Sequence, residues 1–487
     1  MFKTINWAAE DSRLLSHRGY AIRKDSLNAS QTRQLRSALT MMPRVAPEFS
    51  AGIDPFPIFF ESPSRWYVPR FWGMDNCGQA DGDARQDGGD LRSELAFNKT
   101  LRPEQLPIVD AFKEGGYNGL ICVPCGYGKT FMAIWLACQL KKRFLIVVHQ
   151  EFLMEQWRTE LMGSIPGIRV GKLQGDKAQM GSDYDCCICM LQTVASRDWP
   201  ADAFSGFGFA IFDECHHLGA EHFSRALMSI QTKHMLGLSA TPDRMDGLEN
   251  VFLWFLGPIR YQIRVRDPDE SVEVRVIRFT SADSEYMDTP TDCRGEVSRP
   301  RLCNQLAAYM PRTKAICNEL VSILKEGRKL LILSDRRTHL EAFEEELRIR
   351  GIDSIGYYVG GMKTKDRDIS ATKAVILATF SLAAEGMNVP ALNCVALVTP
   401  KSRIEQAVGR IFRQKKEDRE FHPIIYDIAD LPHDICMKQY WKRRQFYKQC
   451  HYTIKNVRPG GRLEIDIHET QEQEEAATLP TGILFRN

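Results

Sequence analysis

Val123-Pro124-Cys125-Gly126-Tyr127-Gly128-Lys129-Thr130 is the stretch whose reading decides the fold. It closes an apolar run over 118–123 and precedes Phe131-Met132-Ala133-Ile134-Trp135-Leu136-Ala137, a helix-like segment. Strand, glycine loop, Gly-Lys-Thr and helix together make a triphosphate cradle, because backbone N–H groups and the positive end of a helix face anionic oxygens. Cys125, Gly126, Tyr127 and Gly128 form the loop, and its glycines let the backbone approach phosphate with no Cβ in the way. Lys129 is expected on the β- and γ-phosphates, and the Thr130 hydroxyl on Mg²⁺. The complete G-x-x-x-x-G-K-[ST] pattern wants glycine where this chain has Val123, so the flanking strand and helix carry much of the inference.

Further along, Asp213-Glu214-Cys215-His216 ends a second apolar run with adjacent carboxylates. Asp213 is expected on the magnesium side, through water, since Mg²⁺ keeps several waters. Glu214 is the candidate base for the attacking water. An exposed acidic turn is the bland reading, and the apolar run ahead of Asp213 weighs against it. Ser239-Ala240-Thr241-Pro242 follows the next apolar run. Its small hydroxyl residues could couple the hydrolysis site to another domain through rearranging hydrogen bonds. Gln406 to Arg413 reads as a helix on which Arg410 and Arg413, three apart, project to nearly one face. Facing a γ-phosphate they would stabilise transition-state charge; a solvated basic helix is the alternative.

The chain has 487 residues, 44% of them apolar and 26% charged, which is the composition of a globular protein with two to four domains. A net charge of +2 says little about partners. No apolar run is long enough to span a membrane, and the amino-terminal residues lack an apolar secretion segment. An intracellular location is expected. The 14 cysteines invite disulfide or zinc readings. Cys122 and Cys125 have C-x-x-C spacing with no answering pair, and Cys186, Cys187 and Cys189 lie in an apolar run. Cys215, His216, His217 and His222 leave a zinc cluster open, although they belong to the acidic segment. Reduced, metal-free cysteines are the favoured reading.

Five segments are expected: an amino-terminal accessory domain (1–95), the nucleotide-binding domain (96–260), a connecting segment (261–310), a second domain (311–458) and a tail (459–487). Strands are expected at 119–123, 144–148, 185–190, 209–212 and 235–239, then at 272–277, 329–334, 355–359, 374–379, 393–398 and 423–426. A helix is expected at 339–350. Alternation of this kind indicates α/β architecture with parallel sheets covered on both faces. The second half has no Gly-Lys-Thr loop of its own, so its domain is expected to close a cleft over the first. The acidic tail is expected to be mobile from His468.

Together CGYGKT, VVHQEFLMEQW, DECH, SATPDR, ATFSLAAEGMNVP and QAVGRIFR resemble superfamily 2 nucleic-acid helicases of the DExH type. The resemblance runs from Leu101 to Arg413 and is nearest the XPB-like and UvsW-like branch, especially helicases of large DNA viruses such as the poxvirus transcript-release type. It implies two tandem RecA-like domains, with ATP and Mg²⁺ as cofactors. It also implies that Arg102 and Gln105, with Gln406, help bind the nucleotide. His149, Gln156, Trp157, Gln192 and Thr193 would lie on a nucleic-acid track, continued by Ser334-Asp335-Arg336, Thr379 and Glu385-Gly386. Asn388 stands where relatives commonly carry Asp, which puts the ribose contact there in question. The implied activity is ATP-driven movement on nucleic acid, DNA favoured over RNA and 3′-to-5′. The implied setting is viral or phage-type transcription, replication or repair, in a host cytoplasm or associated with a virus, with transcription or replication machinery as partner and a monomeric chain. The alternatives are a translocase that displaces RNA polymerase without unwinding, and a DNA clamp that has lost turnover. Lys442-Arg443-Arg444, interleaved with Trp441, Phe446 and Tyr447, suits phosphate contact and base stacking, or equally an amphipathic helix packed on the second domain. Trp66, Tyr67, Arg70, Phe71 and Trp72 could sense a duplex or could be structural.

Overall fold

The apolar runs read as buried strands pair side by side into two parallel sheets. The structure, a computed structural model, describes residues 12–44, 54–240, 246–264, 268–387, 389–414, 416–457 and 462–465. The chain divides into two units, Met1–Arg264 and Val265–Asn487.

The large sheet of the first unit has eight strands, in the order Lys177–Ala178, Val170–Gln174, Cys186–Met190, Phe144–Val148, Phe209–Phe212, His234–Ser239, Asn118–Cys122, Ile259–Gln262. Every neighbour is parallel except Lys177–Ala178, which turns back on Val170–Gln174. Phe144–Val148 and Cys186–Met190 are buried along their whole length, as strands covered on both faces must be. Successive side chains enter opposite cores: Leu145 and Val147 join one, Phe144, Ile146 and Val148 the other. The cysteines of Cys186–Met190 divide in the same way, so they serve as small core residues.

Residues before this sheet add a five-stranded one, in the order Phe60–Glu61, Arg65–Val68, Gly19–Arg23, Arg13–Ser16, Gly82–Asp83. Trp66 and Trp72 are buried in the same core as Leu120, Phe212 and Phe252 of the large sheet's layer. Arg70 is also buried, donating to Lys233 O at 2.9 Å and to the Asn118 side chain. These aromatics are therefore structural anchors.

The second unit repeats the architecture, in the order Ile355–Tyr358, Val375–Thr379, Leu330–Ser334, Cys394–Leu397, Ile424–Asp430, Glu273–Phe279, Thr453–Val457, Leu463–Ile465. Only the last strand is antiparallel. Glu273–Phe279, from the span read as a connection, pairs on both edges inside this sheet, and Leu463–Ile465 comes from the span read as tail. The Asp434–Gln449 helix turns Tyr440, Arg443, Arg444 and Tyr447 inward, so its basic run is largely an internal surface. Among the described residues no helix is long and apolar enough to cross a membrane. His468 and the acidic tail lie outside the described residues.

Candidate nucleotide site

Three adjacent strands of the first sheet, Phe209–Phe212, His234–Ser239 and Asn118–Cys122, end together. Ser239 is in register with Cys122, and its carbonyl accepts from Val123 N at 3.1 Å. The glycine loop, Asp213-Glu214 and Ser239 thus emerge side by side at the carboxyl edge, where open α/β sheets bind ligands.

The loop is shaped by Gly126 and Gly128, at φ of 91° and 79°. At Gly128 the left-handed backbone favours glycine, and an added Cβ would lie 2.5 Å from Gln105 Nε2, displacing that amide. The Lys129–Leu140 helix starts at the next residue, directing its first N–H groups at the loop. Lys129 Nζ donates to Val123 O at 3.1 Å, which brings the ammonium back across the loop. Thr130 is half-buried in the first turn, while Cys125 and Tyr127 are buried. Gln105 donates to Tyr127 O at 2.7 Å and accepts from Arg102 N at 2.9 Å, and Arg102 Nη2 donates to Gly126 O at 3.2 Å. Two of the residues expected to help bind the nucleotide therefore brace the phosphate loop.

Trp157 Nε1 donates to Asp213 Oδ2 at 2.8 Å, and Glu214 N donates to Oδ1 at 3.1 Å. Burial pushes the Asp213 carboxyl up to about 6, with the Glu214 charge adding to it and Trp157 and Lys129 opposing. Glu214 adopts a left-handed backbone, φ 46° and ψ 52°, a conformation that costs about 1–3 kcal/mol and persists where its surroundings hold it. Its Oε2 is buried and makes no hydrogen bond, 3.4 Å from His216 Nδ1. His216 Nδ1 is also 3.1 Å from Ser239 Oγ, linking the acidic segment to the end of the neighbouring strand. Thr241 and Pro242 lie outside the described residues. Among the described residues no group of three or more His, Cys, Asp or Glu side chains is placed to hold a metal ion.

The expected track residues divide. His149, at the end of Phe144–Val148, is largely buried and accepts on its carbonyl from Gln192 Nε2 at 2.8 Å. Gln192 is exposed, Gln156 half-buried, and Thr193 buried with its hydroxyl accepting from Gly175 N at 3.0 Å. Trp157 is only 1% exposed, so its expected place on a track is corrected: it is a core residue that holds Asp213. In the second unit Ser334 and Thr379 are paired in register at the ends of adjacent strands. Ser334 is fully buried, and its hydroxyl contacts His339 Nδ1 at 3.1 Å and accepts from Arg336 N at 3.1 Å. Ser334 thus holds the Arg336 backbone, and Arg336 is half-buried and braced on Asn304. Glu385 and Gly386 end the Phe380–Gly386 helix, and Asn388 lies outside the described residues.

The helix expected over Gln406 to Arg413 is corrected to a short α-helix, Glu405–Val408, followed by a 3₁₀ turn, Gly409–Phe412. A 3₁₀ turn eclipses residues three apart. Arg410 and Arg413 accordingly converge, donating to Met387 O at 3.0 and 3.3 Å, with Gln406 half-buried one turn earlier.

Two buried ion-pair clusters escaped the sequence reading. Asp427 accepts from Arg443 Nε and Nη2 at 2.7–3.0 Å and from Tyr447 OH at 2.8 Å. Asp430 accepts from Arg312 at 2.6 and 3.0 Å and from Tyr286 OH at 2.9 Å. The signal was present, since carboxylates inside an apolar strand demand partners; which arginines supply them was not.

Comparison with known proteins extends the geometry. Residues 98–244 match the family described as type III restriction enzyme, res subunit, and residues 312–415 match the helicase conserved C-terminal domain. A protein of Acanthamoeba polyphaga mimivirus, whose name gives it as an ATP-dependent RNA helicase, is 31% identical over 450 residues, covering 90% of this chain and 85% of that one. A helicase by name from Escherichia phage T5 is 27% identical over 370 residues, covering 70% and 76%. The DNA 3′-5′ helicase XPB of Mycobacterium tuberculosis is 30% identical over 300 residues, covering 56% and 51%.

Proposed function

Because the chain belongs to the superfamily 2 helicases, in the branch shared by viral, phage and XPB proteins, and is an ATP-hydrolysing enzyme of that family, we propose that it couples this hydrolysis to 3′-to-5′ movement along DNA. The observation that carries the reading is the convergence of glycine loop, paired carboxylates and Ser239 at three adjacent strand ends. DNA and polarity are supported by the DECH sequence and by what the mycobacterial relative's name states.

In this reading Lys129 and the loop N–H groups grip the β- and γ-phosphates, and Glu214 orients the water. Arg410 and Arg413 supply positive charge to the transferring phosphoryl group. Arg102, Gln105 and Gln406 position the nucleotide. Thr130 and Asp213 are the groups to hold Mg²⁺, which would supply charge neutralisation across the phosphates. The buried, hydrogen-bond-free Glu214 Oε2 and the desolvated Asp213 fit such an ion, since added positive charge would relieve both. Gln192, His149, Thr193, Arg336 and Thr379, with Ser334 as support, are proposed to serve a sugar-phosphate track, because a motor that moves along any sequence must read backbone.

Phosphate release with and without single-stranded DNA or RNA tests the reading. DNA should stimulate turnover more than RNA, and Lys129→Ala should lower it by about a thousandfold or more, the scale of removing a phosphate-gripping charge. Stimulated hydrolysis surviving in Lys129→Ala would refute the site. Strand displacement on forked, four-way and RNA–DNA substrates separates unwinding from translocation that only displaces bound protein such as RNA polymerase.

A further inference from the structure

Three imidazole rings stack between the edge of the first sheet and Glu214. His149 and His217 lie 4.0 Å apart between centroids, tilted by 31°; His217 and His216 lie 4.4 Å apart, tilted by 36°. At one end His149 is gripped from an exposed side chain: Gln192 Nε2 donates to its carbonyl at 2.8 Å, and Gln150 Nε2 lies 3.2 Å from its Nε2. At the other end His216 Nδ1 is 3.4 Å from Glu214 Oε2 and 3.1 Å from Ser239 Oγ.

We propose that this ring stack carries the effect of nucleic acid bound beside Gln192 and His149 to the Glu214 carboxylate, with His217 as the positioning residue at its centre. The proposal rests on the helicase reading, and His217 stands outside the acidic tetrad that this reading uses.

The strands ahead of His149 and Asp213 are hydrogen-bonded neighbours, Phe144–Val148 and Phe209–Phe212, and Asp213 N donates to Val147 O at 3.0 Å. That ladder holds both ends of the path fixed, so what can vary is the side chains above it. A ring packed between two rings cannot shift without moving its neighbours, because close-packed interiors transmit displacement. Glu214 is the natural receiver. Its left-handed backbone fixes where the side chain starts, while its Oε2 has no hydrogen bond to hold the end. Spatial intermediacy alone is not coupling, so the claim stands on a measurement.

The experiment compares wild type, His217→Ala and His217→Phe in the full-length protein. ATP turnover is measured with and without single-stranded DNA, DNA affinity by fluorescence anisotropy, and folding by thermal melting. We expect the stimulation ratio to fall about tenfold in His217→Ala, with DNA Kd within about twofold of wild type, and to recover in His217→Phe, where a flat ring is restored. A wild-type ratio in His217→Ala overturns the proposal. So does equal loss of basal and stimulated turnover with a lowered melting point, or failure of His217→Phe to recover the ratio. A wild type that hydrolyses ATP without any response to DNA or RNA overturns the helicase reading, and the relay with it.

Discussion

Both units place carboxylates within or just after parallel strands, and they treat them in opposite ways. In the second unit Asp427 and Asp430 are each gripped by an arginine and a tyrosine. In the first, Asp213 is held by a neutral indole and a backbone N–H, stands next to Glu214, and is pushed up to about 6 by burial. The second arrangement is neutral and locked. The first is short of positive charge, which is what a site that receives a cation and a phosphate chain requires. The same scaffold thus yields a structural acid or a reactive one according to whether an arginine reaches it.

The comparison is broken most easily at Asp427. Asp427→Ala leaves the Arg443 guanidinium, 2% exposed, with its charge uncompensated. Removing one partner of a buried pair costs about 3–5 kcal/mol. Hydrogen exchange of peptides spanning 424–457 should show that loss, while peptides of the first unit keep their protection. Protection unchanged over 424–457 would mean that the pair contributes little.

Asp213→Asn should do the reverse. It removes a charge that the first unit holds at a disadvantage, so stability at pH 7 should rise, by up to about 3 kcal/mol, while hydrolysis is lost. The sign follows from a folded pKa raised to about 6 from 3.8, since ionisation is harder in the fold than in the unfolded chain. Asn keeps an acceptor for the Trp157 indole. Urea denaturation checks it, and a destabilised variant would show that the carboxylate is structural here as well.

The sheets were legible because buried parallel strands are continuous apolar runs, and 144–148 and 209–212 coincide with the observed strands. The loop and the acid pair were legible as sequence-local patterns at strand ends. What joins them was not. Trp157 reads by resemblance as a track residue until the fold brings its indole to Asp213. The 3₁₀ turn at Gly409–Phe412 leaves no periodicity to separate it from an α-helix over so few residues. The small sheet around Gly19–Arg23 is built from strands of two to five residues, too short for alternation to show.

Ser334 marks a quieter contrast between the sheet ends. In the first unit Ser239 Oγ lies 3.1 Å from His216, beside the reactive acids, whereas in the second Ser334 Oγ lies 3.1 Å from the buried His339. Burial pushes His339 down to about 3, with the Arg312 charge adding. The unfolded chain takes up this proton near 6.5 and the fold resists it until near 3. The stabilisation is therefore complete above 6.5 and is lost as pH falls through that window. The loss should be about 1 kcal/mol at pH 6, growing by about 1.4 kcal/mol for each further unit of pH. His339→Gln keeps a polar partner for Ser334 and for Thr313, whose Oγ1 lies 3.4 Å from His339 Nε2, but has no proton to gain. Pulse proteolysis in urea, following fragments of the second unit at pH 7 and pH 6, should find a smaller drop in the variant than in wild type. Equal drops would place the acid sensitivity of this unit elsewhere, and would leave its buried histidine as a packing residue alone.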